Sequence, residues 1–342
     1  MTCKNLFALG SALMLSVMGF ASASANYTEV FTQAESAGSV AGPFLDTVVV
    51  DGGIAYAVNR DLSTADTGSV VAFDGTNFNE VMSPADWTTF GSSSDIAGFL
   101  GARVVSGSLR AVNFFDNNII DVDLGTGAVS EFVSAAAIGG GPNLTASNTV
   151  EADGSVYVYD GTADAIINIS PAGVVSTVVT DAQLSALTGS DILSGTGFAL
   201  VGNDLYFGSN SADAMFKWDT VGGTGSQVFS EAELEALSDD IDGNAGIDDI
   251  FYAPNGLVYF YEDDADYVYS FDPSNPSGTL SVVLTEAYLN DGPGTDSVAQ
   301  FAWYNGNLAW TDQRDGFYVI PEPASALLGA LAVAGLAASR RR

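Results

Sequence analysis

The chain contains no histidine, one cysteine and very few basic residues. Among its 342 residues, nine are Lys or Arg and 42 are Asp or Glu, so the formal net charge is −33. Zinc sites built from His and Cys, cysteine nucleophiles and Ser-His-Asp triads are excluded, because the one cysteine, Cys3, lies in a segment that we expect to be removed. Such an acidic chain repels phosphate backbones, so we expect no nucleic-acid partner.

Two interpretations of this acidity remain open. A calcium ion or a cationic ligand is a suitable partner for a strongly negative surface. The alternative is that the carboxylates only keep the protein soluble.

Apolar residues and glycine are abundant. Hydrophobic residues make up 47% of the chain, aromatic residues 11% and charged residues 15%, and there are 38 glycines. This composition can bury a sizeable core and is too apolar for a disordered chain. Many short strands joined by glycine turns have this profile, so we predict an all-β fold.

The first 25 residues have the pattern of a secretory signal peptide. Lys4 provides the positive charge, residues 6–20 are mostly apolar, and Ala23-Ser24-Ala25 is an A-x-A cleavage site. Cleavage there leaves Asn26 as the new N-terminus. The alternative is a retained membrane anchor, although the apolar stretch is short for one.

The last residues form a second targeting pattern. Pro321, Glu322 and Pro323 precede the apolar residues 324–339, and Arg340, Arg341 and Arg342 follow. The apolar stretch is somewhat shorter than the ~20 residues that a helix needs to span a bilayer. The arginines are expected to stay in the cytoplasm, which makes the segment a stop-transfer transmembrane helix.

This triplet, helix and arginine cluster resemble the PEP-CTERM sorting domain of Gram-negative bacteria that make exopolysaccharide. The resemblance covers residues 319–342 and implies that an exosortase cleaves the tail near Pro321. It implies that the protein is exported across the inner membrane and that its tail stays in that membrane transiently. After processing, the protein would be on the cell surface or outside the cell. The alternative is a simple tail anchor. The resemblance implies nothing about residues 26–318.

Residues 26–318 contain a sixfold repeat. A small turn followed by an apolar strand recurs about every 50 residues, with the turns anchored at Gly53, Gly107, Gly154, Asn203, Gly256 and Gly306. An apolar run precedes each anchor, and further strand patterns follow most of them. Four strands per repeat are typical of a propeller blade, so we predict a six-bladed β-propeller.

The two ends of this domain complement each other. Residues 27–35 match residues 226–233, which we interpret as an outer strand followed by a helix with a capping box, as also at Thr180. The sixth repeat lacks an outer strand, so the N-terminal strand is predicted to complete the last blade. A seven-bladed ring and an open stack of repeats are the alternatives.

Acidic residues recur just before the predicted innermost strands. These residues are Asp46, Asp95, Asp191, Asp248, Asp249 and Asp296, with Asn143 in the third repeat. A propeller would bring them to one mouth of its channel, where crowded carboxylates bind a cation. We therefore hypothesise a site for calcium or a cationic ligand. The alternative is that each Asp caps a turn.

The densest acidic segment is a second candidate for calcium. Its possible ligands are Asp240, Asp242, Asn244, Asp248 and Asp249. Oxygen ligands at alternating positions beside Gly243 are typical of calcium loops, but the spacing departs from that of an EF-hand. A solvated acidic loop is the alternative.

The four tryptophans are candidate stacking surfaces for sugar rings. Trp218 and Trp310 lie in strand patterns, which favours core packing for these two. Trp87 and Trp303 remain candidates for ligand contact.

Three functions fit the sequence. The first is a non-catalytic exported protein that binds a ligand or belongs to the extracellular matrix, with exopolysaccharide or a cationic ligand as partner. The second is a calcium-dependent propeller hydrolase, similar to a lactonase, in which a metal activates water. The third is a purely structural surface-layer component. Absence of histidine favours a non-enzymatic role without excluding the hydrolase.

Overall fold

The structure is a computed structural model. It describes residues 27–41, 43–61, 68–90, 99–139, 141–189, 197–209, 212–238, 246–263, 265–286, 289, 298–312 and 316–320. The signal segment with Ala23 and Ala25, and the sorting tail from Pro321 to Arg342, lie outside these residues. No helix in the described part is long and apolar enough to cross a membrane.

The chain forms six four-stranded antiparallel sheets. The N-terminal strand is β1 (Thr28–Thr32). Blade 1 follows with β2 (Pro43–Asp51), β3 (Ile54–Asp61), β4 (Gly68–Phe73) and β5 (Phe78–Met82). Blade 2 contains β6 (Arg103–Val105), β7 (Ser108–Asn113), β8 (Asn118–Asp123) and β9 (Val129–Val133). Blade 3 contains β10 (Leu144–Val150), β11 (Val156–Asp160), β12 (Ala165–Ile169) and β13 (Val175–Val179).

The remaining blades repeat this arrangement. Blade 4 contains β14 (Phe198–Val201), β15 (Asp204–Ser209), β16 (Ala214–Asp219) and β17 (Thr224–Phe229). Blade 5 contains β18 (Ile247–Tyr252), β19 (Val258–Glu262), β20 (Tyr267–Phe271) and β21 (Ser281–Leu284). Blade 6 contains β22 (Gln300–Tyr304), β23 (Asn307–Asp312) and β24 (Gly316–Ile320).

The blades form a closed ring around their innermost strands. Contacts connect β2 with β6, β10 with β14, β14 with β18, and β18 with β22, while β10 reaches blade 2 through β7. The ring is completed by contacts between β22 of blade 6 and β2 of blade 1. The prediction of a six-bladed propeller is confirmed, and the open stack and the seven-bladed ring are wrong.

The first strand of the chain completes the last blade. β1 pairs antiparallel with β24, and the sheet order is β1-β24-β23-β22. Phe31 is 2% exposed and contacts Phe317 of its own blade and Phe73 and Phe78 of blade 1, at centroid distances of 5.3, 5.4 and 5.6 Å respectively. The predicted closure is confirmed, and one aromatic side chain joins the first and last blades.

Short helices follow several outer strands. They are α1 (Gln33–Ser36), α2 (Pro84–Phe90), α3 (Ala135–Ile138), α4 (Asp181–Thr188) and α5 (Glu231–Glu235), whereas α6 (Pro276–Thr279) precedes the outer strand of blade 5. Capping boxes are present at Thr32, Thr180 and Ser230. Trp87 on α2 is fully buried and packs near Phe90 and Phe99. The expectation that Trp87 offers a stacking surface is wrong, because α2 turns this side chain into the core.

Many carboxylates close turns. Asp74, Asp123, Asp219 and Asp272 each accept hydrogen bonds from backbone N–H groups two or three residues further on, between the third and fourth strands. These hydrogen bonds, together with those from neighbouring side chains, hold the pKa of each carboxyl below its usual value. Part of the acidity of the chain is therefore structural.

A ring of buried polar side chains marks the end of the second strand in every blade. Each member stands six residues after a turn anchor and is nearly inaccessible: Asn59, Asn113, Asp160, Ser209, Glu262 and Asp312. Asp160 accepts from the backbone N–H groups of Asn143 and Thr162 at 2.9 and 3.0 Å. Glu262 accepts from the N–H of Ala265. This buried polar ring thus satisfies loop backbone.

Replacement of Phe31 by Ala should destabilise the propeller by about 3–5 kcal/mol, because a buried ring between two blades leaves a cavity. Urea unfolding followed by tryptophan fluorescence measures this loss. Glu29→Ala, in the same strand but exposed, should change the stability by less than about 0.5 kcal/mol. Equal effects of the two substitutions would show that β1 does not hold the ring closed.

Candidate functional site

The innermost strands enclose a central channel with a cavity of about 530 Å³. All six blades contribute to its wall. At one end the cavity reaches the turns between first and second strands, at Gly52, Gly53 and Asn305. At the other it reaches Asp249 and Gln300. We call the end at the turns the open mouth and the end at Asp249 the deep end.

The middle of the channel wall is apolar. Its side chains include Val50, Val150, Leu200, Phe251 and Ala302. A preformed cavity with apolar walls and few polar groups is the usual form of a small-ligand site. The channel is therefore the strongest candidate site in the described part of the chain.

The register of the innermost strands determines which residues lie together at the deep end. Val48, Asn148, Phe198, Ile250 and Phe301 each pair with the fourth residue after a turn anchor. The preceding residues stand at one level of the ring: Thr47, Gly101 (by extension of the β6 register), Ser147, Gly197, Asp249 and Gln300. Two glycines, a carboxylate and an amide thus share this level although they are far apart in sequence.

Asp249 is held tightly in a bulge of β18. Its Oδ2 accepts a hydrogen bond from the backbone N–H of Phe301 at 2.7 Å, which connects blades 5 and 6. A Cβ on Gly197 of blade 4 would lie 2.6 Å from its Oδ1, so only glycine leaves room for this carboxylate. The N–H of Gly197 also donates to the carbonyl of Asp248. Asp249 therefore lies between three blades.

Burial raises the pKa of Asp249 to about 7. The loss of solvation favours the neutral acid, and the N–H groups of Phe301 and Ile250 only partly oppose it. The side chain lines the channel and keeps some exposure there. A cation that enters the channel would favour the ionised form of this carboxyl and so offset part of the desolvation.

Gln300 presents a second acceptor at the deep end. Its side chain is 8% exposed, and its Oε1 has no hydrogen-bond partner among the described residues. An unsatisfied buried acceptor costs about 1–3 kcal/mol, so such groups in native proteins usually serve a purpose. A ligand that donates a hydrogen bond would remove this cost.

The open mouth is charged and partly aromatic. Asp51 and Glu151 line it, with Tyr252 and Trp303 one residue deeper along their strands and Arg103 two residues deeper. Burial raises the pKa of Glu151, and the nearby Arg103 counteracts part of this effect. Trp303 is half-buried in the channel wall, which agrees with its predicted availability for ligand contact.

The structure corrects the expected placement of the acidic residues. Asp46, Asp248 and Asp249 do not precede the innermost strands but lie within β2 and β18, because bulges extend these strands past the carboxylates. Asp46 lies 3.9 Å from Arg60 and does not line the channel, whereas Asp249 does. The remaining predicted positions lie outside the described residues: Asp95, Asp191, Asp240, Asp242, Asn244 and Asp296.

Calcium stays a prediction. Within the described ranges, no group of three or more Asp or Glu side chains is arranged to hold a metal ion. The loops that contain Asp240, Asp242 and Asn244 are outside those ranges.

Gln300, Asp51 and Glu151 were not identified from the sequence. The spacing to the turn anchors could have located Asp51 and Glu151, which stand two and three residues before theirs. Gln300 stands six residues before its anchor and Asp249 seven, so the bulge in β18 is needed to bring them to one level. The recurring Asp residues instead favoured a site at the start of the innermost strands, whereas Asp51 and Glu151 stand at their end.

Comparison with known proteins supports the fold. No family model matches the chain, and no curated protein matches it. A streptogramin B lyase structure is similar with a TM-score of 0.52 at 11% identity, covering 86% of this chain and 97% of that one. A putative gluconolactonase has a TM-score of 0.54 at 12% identity, with 88% and 93% covered. Virginiamycin B lyase from Staphylococcus aureus has a TM-score of 0.50 at 15% identity, covering 84% of this chain and 81% of that one. These identities establish a shared fold and nothing more.

The free energy of unfolding of Asp249→Asn should increase relative to that of the wild type as the pH rises. The native carboxyl binds its proton up to about pH 7, whereas in the unfolded chain it ionises near its ordinary pKa of 3.8. The free energy of unfolding of the wild type therefore falls between these pH values by roughly 4 kcal/mol. The variant does not show this fall, because its amide does not titrate. Urea unfolding at pH 4.5, 6 and 8 measures it.

Asp74→Asn is the matched control for this titration. The pKa of Asp74 is lowered, so its ionisation is complete throughout this range and the stability difference from wild type should stay flat. A flat difference for Asp249→Asn as well would mean that Asp249 is solvated in the native protein.

Proposed function

We propose that the protein is an exported, non-catalytic binding protein that holds a ligand in its propeller channel. The observation that carries this proposal is the channel itself: a preformed cavity of about 530 Å³ with apolar walls and polar groups at both ends.

The two ends of the chain support export and sorting. Residues 1–25 have the signal pattern with cleavage after Ala25, and residues 319–342 resemble the PEP-CTERM tail, with an exosortase as the processing partner. The tail would hold the chain in the inner membrane until cleavage releases it to the cell surface or the medium. An acidic propeller would then face the exopolysaccharide matrix, with cationic molecules as favoured ligands.

The calcium-dependent hydrolase is the alternative. It needs several carboxylates around one metal beside an open pocket. In the described part of the channel, Asp249 is the one carboxylate at the deep end, while Asp51 and Glu151 lie at the mouth. This separation favours binding over metal-assisted hydrolysis.

Export can be tested by fractionation of a bacterium that has an exosortase. The wild-type protein should be recovered outside the inner membrane, starting at Asn26 and lacking the tail. Joint replacement of Pro321, Glu322 and Pro323 by Ala should leave an uncleaved form in the membrane fraction, as should deletion of the exosortase. Intact-mass measurement distinguishes the forms, with Val221→Ala at an exposed turn as control. Recovery of wild-type protein with Met1 in the cytosol would contradict the proposal.

The absence of catalysis is tested on the released protein. Incubation with a panel of lactones and calcium should give no hydrolysis above the buffer rate, with or without EDTA. Turnover that disappears on addition of EDTA would establish the hydrolase instead.

A further inference from the structure

The deep end of the channel presents hydrogen-bond acceptors. The Asp249 carboxylate and the unpartnered Gln300 Oε1 are both acceptors, and both line the cavity. Arg103 is the one basic residue among those that line it, and it stands two residues towards the open mouth from the level of Gly101. A group that donates hydrogen bonds suits both acceptors, and a positive charge would pair with the ionised form of Asp249.

A second acidic level lies at the open mouth. Asp51 stands four residues after Thr47, and Glu151 four residues after Ser147, so both are the same distance from the level of Asp249. At the rise of a β-strand, four residues correspond to about 13 Å along the channel. Two carboxylates thus face the mouth one small-molecule length from the deep acceptors.

The wall between the two acidic levels is mostly apolar, with Thr149 and Arg103 two residues past the deep level. Val50 and Leu200 lie one residue nearer the mouth, and they offer contact to a hydrocarbon chain but no hydrogen bond through their side chains. Tyr252 and Trp303 stand three residues past the deep level, where an aromatic face can contact a cation near the mouth. An anion would face carboxylates at both ends.

We propose that the channel binds a linear diamine, with one ammonium group at Asp249 and Gln300, an alkyl chain along the wall between the two acidic levels, and a second ammonium group at Asp51 and Glu151. This inference rests on the proposed binding function. Each charged end of such a ligand meets a carboxylate, and the Gln300 acceptor gains a partner. A metal ion would use one end only and leave the apolar section unexplained.

Calorimetric titration of the released protein with 1,6-diaminohexane tests this assignment at 150 mM salt, where weak surface attraction is largely screened. We expect one diamine per chain. Asp249→Asn should weaken binding at least tenfold, since the cation loses its buried partner. The double variant Asp51→Asn with Glu151→Gln should weaken binding of the diamine several-fold but leave binding of the monoamine n-hexylamine unchanged.

Asp74→Asn provides the control for net charge, because it removes one carboxylate at an exposed turn that does not line the channel. Its affinity for 1,6-diaminohexane should stay within twofold of wild type. Equal weakening by this control, an unchanged affinity of Asp249→Asn, or equal binding of 1,6-hexanediol would each overturn the assignment. Circular dichroism checks each variant, and the mouth variant keeps the test decisive if Asp249→Asn does not fold.

The outcomes separate the ligand from the function. A protein that is exported and processed but binds no diamine would disprove the proposed ligand and leave export intact. A protein that binds the diamine through Asp249 but stays in the cytosol would disprove the location and leave the ligand intact.

Discussion

The pairing of β1 with β24 is the interaction on which the rest of the structure depends. It provides blade 6 with its outer strand and places Phe31 against blade 1, so the ring has no open end. Ring closure in turn fixes the level of each innermost strand relative to the others. Asp249, Gly197 and Phe301 come from three blades and meet only because the six registers are consistent. The channel is thus a product of closure rather than of any single blade.

The carboxylates of this chain have distinct tasks that net charge alone does not separate. Asp74, Asp123, Asp219 and Asp272 close outer turns, and Asp160 and Glu262 of the buried polar ring hold loop backbone at the ends of second strands. Asp249 differs from them because it lies at the end of a cavity, where the loss of solvation raises its pKa. The formal charge of −33 is therefore a poor guide to where a cation binds.

Periodicity in the sequence was sufficient to predict the number of blades, because the turn-and-strand pattern recurs six times. The capping boxes and the closing strand were predictable from the local match between residues 27–35 and residues 226–233. The position of Asp249 within its strand was not predictable in the same way. A β-bulge changes where pairing begins without disturbing the alternation of apolar residues, so Asp46 and Asp248 seemed to precede strands that in fact contain them. Gln300 and Asp249 are neighbours only through the register of separate hairpins. The burial of Trp87 was not predictable from the strand pattern, because it depends on the short helix α2.

The closing strand has a consequence for biosynthesis. β1 is made at the start of translation, whereas its partner β24 is made last. Until then, blade 6 has no outer strand, and β1 carries an unpaired backbone edge and an exposed aromatic side chain at Phe31. Contacts between such distant residues form late, because the intervening chain must first be ordered. A chain that ends before residue 316 would keep an unpaired sheet edge, because β1 would have no partner strand. Premature termination should therefore lead to aggregates rather than to a smaller propeller.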